Sequence, residues 1–569
     1  MDIDHSQPAT LLLEDHARLA IQHLRGNLDR QQGYLPYFHT FLQPDPAEAR
    51  HDFPDWGDIG GRYWNGLMLM RSMTGSSEGD EEEAALRKLV LGGFSERDGL
   101  NYRPDSPWSK HDALMFDQGR VLLALTTWYM QGGNREAARW IDQMLNGLSR
   151  VAVKHATYWN FPYKAYPPAG WDADYDGGLG AIGAADPAYD AGQWLPAIVR
   201  SVELTGSETG LELARQIISW NLHGFRVFGA DGSFGGHFHS RMATVAGVVR
   251  FARLTSDLAL IEWARRAFDF ARSQGAEFGW FPEIVEHTSA FSQGCETCCI
   301  ADMVEAGILL ARSGYLECWD FVERIVRNHL IESQLRSIDW VPYEGRRDDT
   351  PRSSFDRVAE RVLGGFAGRS FPNDYVGADG SFDDGNKYWM MNCCSGAGPH
   401  ALYLAWHNGV TFETRDVGHT QRRVYVNLAL TRDTKWACVV SHRPYRGRVE
   451  IKMHTLAPLA VRVPDWVDRR QVTVSRDGVL TPFVWERSYA VLDQVKPGEL
   501  VTVEYPIRRT SESVCVGGRD YEITWKGDTV IGISPEGTDY PLYRRSSFDA
   551  PEAPLREVEL HVPANEIAW

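Results

Sequence analysis

The 569-residue sequence contains no apolar run near the roughly 18 residues that a membrane-spanning helix requires, so no membrane partner is expected. Positive charge is in deficit. Lys and Arg total 59 against 76 Asp and Glu, a formal net charge of −17. With no basic stripe to neutralise phosphates, this argues against a nucleic-acid partner. The first twenty residues lack a basic segment followed by an apolar one. No secretory leader is read there, and a cytoplasmic protein is expected. Short repeats of the solenoid kind are missing too. Cysteine is scarce, with eight residues, yet five of them fall in two tight clusters at 295, 298, 299 and at 393, 394. In a chain without a leader, clustered cysteines point to metal binding or catalysis rather than disulfides.

The length exceeds one ordinary core and suggests several domains, or a large barrel with an appendage. The 20 Trp, 22 Tyr and 24 Phe suit either flat sugar-holding faces or an aromatic-rich core. Up to about residue 410 the apolar pattern is helical. About a dozen helices are expected, among them 11–28, 62–73, 113–130, 189–205, 242–254, 298–313, 316–335 and 398–406. After the first cysteine cluster, Ile300, Met303, Val304, Gly307, Ile308 and Ala311 share one face, and Gly314 supplies a stop. Sequential helix pairs joined by long loops, such as 158–187 and 336–389, suggest an (α/α)6 helical-hairpin barrel over residues 1–414. An irregular helical array is the alternative. From 415 the texture changes to short, alternating, β-branched segments with turn signals such as Asp477-Gly478 and Pro497-Gly498. That predicts an antiparallel β-sandwich to about 510, then further strands and a tail to 569. An exposed sandwich edge could pair two copies into a homodimer.

The first cluster reads Gly294-Cys295-Glu296-Thr297-Cys298-Cys299 and the second Met391-Asn392-Cys393-Cys394-Ser395-Gly396. Each sits where a loop enters a helix, and a helix N-terminus favours a thiolate. One glutamate and three cysteines of these clusters would fill a tetrahedral zinc site, and a zinc-bound thiolate is a poised nucleophile. Two plainer readings stand beside this: inert buried cysteines, and a closed structural zinc. Glu283, in Phe281-Pro282-Glu283-Ile284-Val285-Glu286, lies among apolar neighbours that would raise its pKa and suit it to proton donation. Glu286 is the next candidate.

These motifs resemble the β-L-arabinofuranosidase family, glycoside hydrolase family 127 and its relatives, in which a Glu-Thr-Cys motif precedes a helix and a Cys-Cys pair follows an aromatic stretch. Here they stand as Glu296-Thr297-Cys298 and Trp389-Met390-Met391-Asn392-Cys393-Cys394. The resemblance implies that Glu296, Cys298, Cys393 and Cys394 hold a zinc ion, that Cys393 is the nucleophile and that Glu283 is the acid/base. Gly236-His237-Phe238-His239 resembles the family's substrate-facing histidine segment, with His237 in the better register, and Tyr189-Asp190-Ala191-Gly192-Gln193 its Tyr-x-x-Gly-His. His237, His239, Tyr189 and Gln193 are the implied substrate contacts. The likeness spans roughly residues 50 to 510. Gln193 replaces the usual His, Asp58 and Arg62 stand where the early helix often carries histidines, Ser-Gly-Ala-Gly follows Cys394 in place of Pro-Pro-Asn, and Cys295 and Cys299 are additional.

The implied activity is that of a retaining exo-glycosidase acting on an oligosaccharide or other glycoside. Two alternatives come from other classes. One is a sugar epimerase or isomerase using His237 and His239 on the same barrel. The other is a non-catalytic carbohydrate-binding protein with structural zinc.

Overall fold

The computed structural model describes residues 6–132, 134–171, 185–286, 294–376, 389–414, 422–538 and 540–569. Parts of both expected long loops, 172–184 and 377–388, lie outside the described residues.

Six helices form an inner ring. They are α2 (Gly60–Thr74), α4 (Met115–Gly132), α6 (Leu195–Thr205), α8 (Phe238–Thr255), α10 (Thr297–Arg312) and α13 (Asn392–Gly409). Each packs on the next, and α13 closes back on α2. Six outer helices back them: α1 (Leu13–Gly26), α3 (Asp80–Gly92), α5 (Arg135–Val151), α7 (Glu208–Ser219), α9 (Leu258–Ser273) and α11 (Cys318–Ile325). The one-turn helix α12 (Val358–Arg361) leans on α1. This is the expected helical-hairpin barrel.

Sequence texture separates the two layers. Outer helices such as α5 bury a single stripe, here Ala137, Ile141, Met144, Leu145 and Leu148. The inner α2, α8 and α10 are buried on nearly every face, as a helix wrapped by neighbours must be. Close approach in the ring needs glycine. A Cβ on Gly61 would lie 2.8 Å from the Arg120 carbonyl oxygen of α4, and one on Gly396 of α13 would lie 2.5 Å from Arg62 Cβ of α2.

Three of the outer helices have capped starts. The outer α5, α7 and α9 carry side-chain caps from Asn134, Ser207 and Asp257. The inner α2, α8, α10 and α13 have none. Two inner helices begin earlier than their periodicity suggests. Helix α8 starts at Phe238 rather than 242, and α13 at Asn392 rather than 398. The small residues Ser395, Gly396 and Gly398 interrupt the apolar pattern, yet they are what lets α13 pack tightly.

After α13 the chain enters two facing sheets. One orders Val410–Glu413, Arg423–Val426, Ala457–Arg462, Tyr489–Val495 and Val484–Glu486. The other centres on Ala437–Ser441, Arg448–Met453 and Leu500–Glu504. Their shared core holds Val424, Val426, Val439, Ile451, Leu459, Val461, Leu492 and Val503. The expected antiparallel pairing has one exception, because Arg423–Val426 runs parallel to Ala457–Arg462. The three-stranded sheet Arg509–Val516, Arg519–Lys526, Thr529–Ser534 packs its Tyr521, Ile523 and Trp525 into the helical core instead. The final residues return to the barrel, where the Trp569 indole donates to Thr127 of α4 at 2.9 Å. No helix among the described residues is long and apolar enough to cross a membrane.

Buried charge joins these parts. Glu323 of α11, wholly buried, accepts from Arg327 at 2.9 Å, from Arg443 at 2.8 Å and from Arg462. Arg462 also pairs with Asp320, and Arg443 with Asp528. Removing one member strands the others without water. Glu323→Ala is therefore expected to lower stability by about 3–5 kcal/mol, measured as a shifted urea midpoint.

Candidate active site

The N-termini of the inner helices meet at one end of the barrel. Cys298 lies in the first turn of α10, and Cys393 and Cys394 lie in the first turn of α13. Their three sulfurs all fall within 4.8 Å of one another, with Cys298 and Cys394 at 3.7 Å. Cys298 and Cys394 are buried, whereas Cys393 is partly buried. This trio can hold a thiophilic metal ion.

Three thiols in one buried site cannot all ionise unaided. Burial works against every thiolate here. At Cys298 it is outweighed by hydrogen bonds from the other two cysteines and by the Arg62 guanidinium, 3.6 Å away, which hold that thiol well below its ordinary range. Cys393 is pushed up, first by its hydrogen bond to Cys298, and Cys394 is pushed up by burial and by both neighbours. A cation bound by all three would relieve this competition. Cys295 and Cys299 stand apart from the trio, fully buried and with thiols pushed up by burial.

Glu296 is not part of the trio. It sits at the N-cap of α10 and its carboxylate meets His237 Nε2 at 3.3 Å. His237 occupies the N-cap of α8, with its ring 5.2 Å from that of Tyr189 and 5.6 Å from that of His239. The short pair of strands Gly236–His237 and Ile284–Val285 places Glu283 beside this histidine, the Glu283 carbonyl accepting from Phe238 N at 2.8 Å.

Glu283 does not meet the apolar surroundings that its neighbours in sequence suggested. Phe281 and Val285 turn into the core. The Glu283 carboxylate is instead clamped by Arg369, Nε to Oε2 at 2.6 Å and Nη2 to Oε1 at 2.7 Å. Residues 281, 283 and 285 would share one face of a regular strand, so it is tertiary packing, not alternation, that separates the carboxylate from the apolar side chains and supplies the arginine. Glu286, the other candidate, is exposed with φ of 66°.

Beneath the thiols lies a polar network that sequence reasoning noted only in part. Asp58 holds Arg62 Nε at 2.6 Å. His239 Nε2 accepts from Arg62 at 3.3 Å and from Arg120 at 2.9 Å, while Nδ1 donates to Asp302. Burial, aided by the two guanidiniums, pushes the His239 pKa down to about 3, so this ring is neutral. Gln193 accepts from Arg120 and donates to the Tyr189 carbonyl oxygen. Asp186 braces the turn that carries both residues, pairing with Arg241 of α8 at 2.7 and 2.8 Å. Arg120, Asp302 and Arg369 were missed. Asp302 had a signal, lying four residues after Cys298 and so on the same helical face; Arg120 and Arg369 had none.

Trp389, Phe38, Phe41 and Met391 form a wall against Cys393. The strand Trp389–Met391 pairs with His39–Phe41, and the Trp389 indole donates to His39 Nδ1 at 2.7 Å. Cys393 is thus bounded by aromatic surface on a fixed strand.

No family model matches the sequence, and no curated protein matches it. Solved structures do match. A GH127 β-L-arabinofuranosidase from Geobacillus stearothermophilus T6 is 14% identical, with 91% of this chain and 80% of that one covered at a TM-score of 0.57. A GH127 β-arabinofuranosidase is 14% identical, covering 93% and 86% at 0.60. A protein described as a glycoside hydrolase is 12% identical, covering 93% and 83% at 0.59. The chain has their fold. The match takes in the helical barrel and the β-rich region together, as the coverage requires.

The thiol trio yields a direct test. Protein equilibrated with a thiophilic divalent metal and then desalted is expected to retain one ion per chain by elemental analysis. Cys394→Ala is expected to retain none and to melt at a lower temperature.

Proposed function

We propose that the chain is a divergent member of glycoside hydrolase family 127 and a retaining glycosidase, with Cys393 as nucleophile and Glu283 as acid/base. One observation carries the reading: three cysteine sulfurs converge at the mouth of this barrel, with Cys393 the least buried of them. The donor set suits zinc. Zinc–sulfur bonds of about 2.3 Å in a tetrahedron separate sulfurs by about 3.8 Å, against 3.7 Å between Cys298 and Cys394. Glu296, two positions before Cys298, is the fourth donor in this reading. Bound zinc keeps its thiolate ligands ionised at neutral pH.

In the first step the Cys393 sulfur attacks the anomeric carbon and forms the S–C bond. The glycosidic C–O bond breaks as Glu283 gives its proton to the departing oxygen. In the second step Glu283 takes a proton from water, whose oxygen attacks the same carbon and expels the Cys393 thiolate. The net change is hydrolysis with retention. Arg369 orients Glu283 and must release it to carry the proton. His237, His239, Tyr189 and Gln193 face the sugar in this reading, and Arg62 and Arg120 brace His239 from behind. With Nε2 accepting from two guanidiniums and Nδ1 bonded to Asp302, His239 serves in this reading as a hydrogen-bonding fixture.

Cys393→Ser is expected to keep the fold by circular dichroism and lose turnover of aryl glycosides. Normal rates in that variant would sink the mechanism. Glu283→Gln is expected to slow glycosides with poor leaving groups by about 10²–10⁴-fold and to slow activated aryl glycosides less in their first step. Equal losses across leaving groups would remove Glu283 from the acid role.

A further inference from the structure

A groove of about 1080 Å³ opens beside the N-terminus of α2, between the end of α3 and the segment 94–105. Its volume matches the upper end of the roughly 300–1,000 Å³ that hold drug-sized ligands. That is room for several sugar rings. Three half-buried aromatic rings line it, those of Tyr34, Trp56 and Phe94. Each is braced from behind. Trp56 stacks on Trp108 at 6.2 Å, Phe94 packs on Trp140 at 4.6 Å, and the Arg30 guanidinium covers Tyr34 at 5.0 Å. Rings held this way offer flat surface at little entropic cost.

The groove is close to neutral. Arg97 pairs with Asp98 and Arg103 with Asp112. Lys88, Asp105 and His111 remain on the rim as exposed polar groups. Fixed aromatic faces with a polar, charge-balanced rim recognise the alternating C–H and hydroxyl surface of an uncharged sugar chain.

The groove is tied to the catalytic centre through one short segment. Trp56 lies in the turn Asp55–Ile59, and Asp58 of the same turn holds Arg62 beside Cys298. Asp55 anchors that turn, accepting from Phe38 N at 2.9 Å and from Asp52 N at 3.0 Å and pairing with His51 at 2.8 Å. Trp56 is therefore set at the same end of the barrel as the thiols.

We infer that this groove binds the oligosaccharide portion of the substrate, a neutral glycan chain on the leaving-group side of the scissile bond. The inference rests on the glycosidase reading for its role, but binding can be read without turnover. The test uses the full-length Cys393→Ser protein and calorimetric titration with arabinotetraose, xylotetraose, galactotetraose and cellotetraose. At least one is expected to bind, and Trp56→Ala and Phe94→Ala in that background are each expected to weaken it tenfold or more. Trp56→Tyr, which keeps a flat ring, should recover most of the affinity, and melting temperatures should stay together. The inference is overturned if none of the four binds, or if Trp56→Ala binds as well as its parent. Binding by the groove with no aryl-glycoside turnover in the unmodified protein would instead overturn the catalytic reading and leave the groove standing.

Discussion

The close packing of the inner helices is the constraint on which the rest of the molecule depends. Six helices can close a ring with functional side chains at its mouth only where backbones approach one another. Gly61 against α4 and Gly396 against α2 allow this on both sides of α2. With the ring closed, the uncapped starts of α2, α8, α10 and α13 share one end. Their dipoles then favour negative charge there. Cys298, Cys393, Cys394 and Glu296 occupy those positions.

The polar groups around the thiols follow from the same convergence. Arg62 sits in α2, Arg120 in α4, His239 in α8 and Asp302 in α10, so four of the six walls of the ring contribute one partner each. A hydrogen-bonded set of this kind is stable only when every member is present. It fixes the tautomer of His239, and through Arg120 it fixes Gln193 and the turn that carries Tyr189.

Outside the barrel, the β-rich region acts as a buttress. Glu323 gathers arginines from α11's own extension and from two sandwich segments, and Asp528 brings the three-stranded sheet into the same cluster. Ion pairs so deeply buried give little net stability compared with apolar packing, but they penalise any other arrangement of the parts. The chain end completes the arrangement by filling the far end of the barrel with Trp569.

Much of this was legible in the residues. Periodicity marked the helices, because an outer helix needs a single apolar stripe. Alternation marked the sandwich, because each strand buries one face. Glu296, Cys298, Cys393 and Cys394 stood out by their clustering at helix starts. The early starts of α8 and α13 were hidden, because Gly396 and Gly398 serve packing rather than periodicity. Glu283 was placed by its neighbours in sequence, yet its electrostatic surroundings were misjudged. Its partner, Arg369, is 86 residues away. The sequence by itself determined which residues could carry thiolate chemistry and which segments would be helix or strand, since both are local properties. The tertiary structure alone decided that three of the four expected ligands meet while Glu296 turns to His237, and that burial, aided by two guanidiniums, holds His239 neutral. Those outcomes depend on distances between helices, which no local pattern encodes.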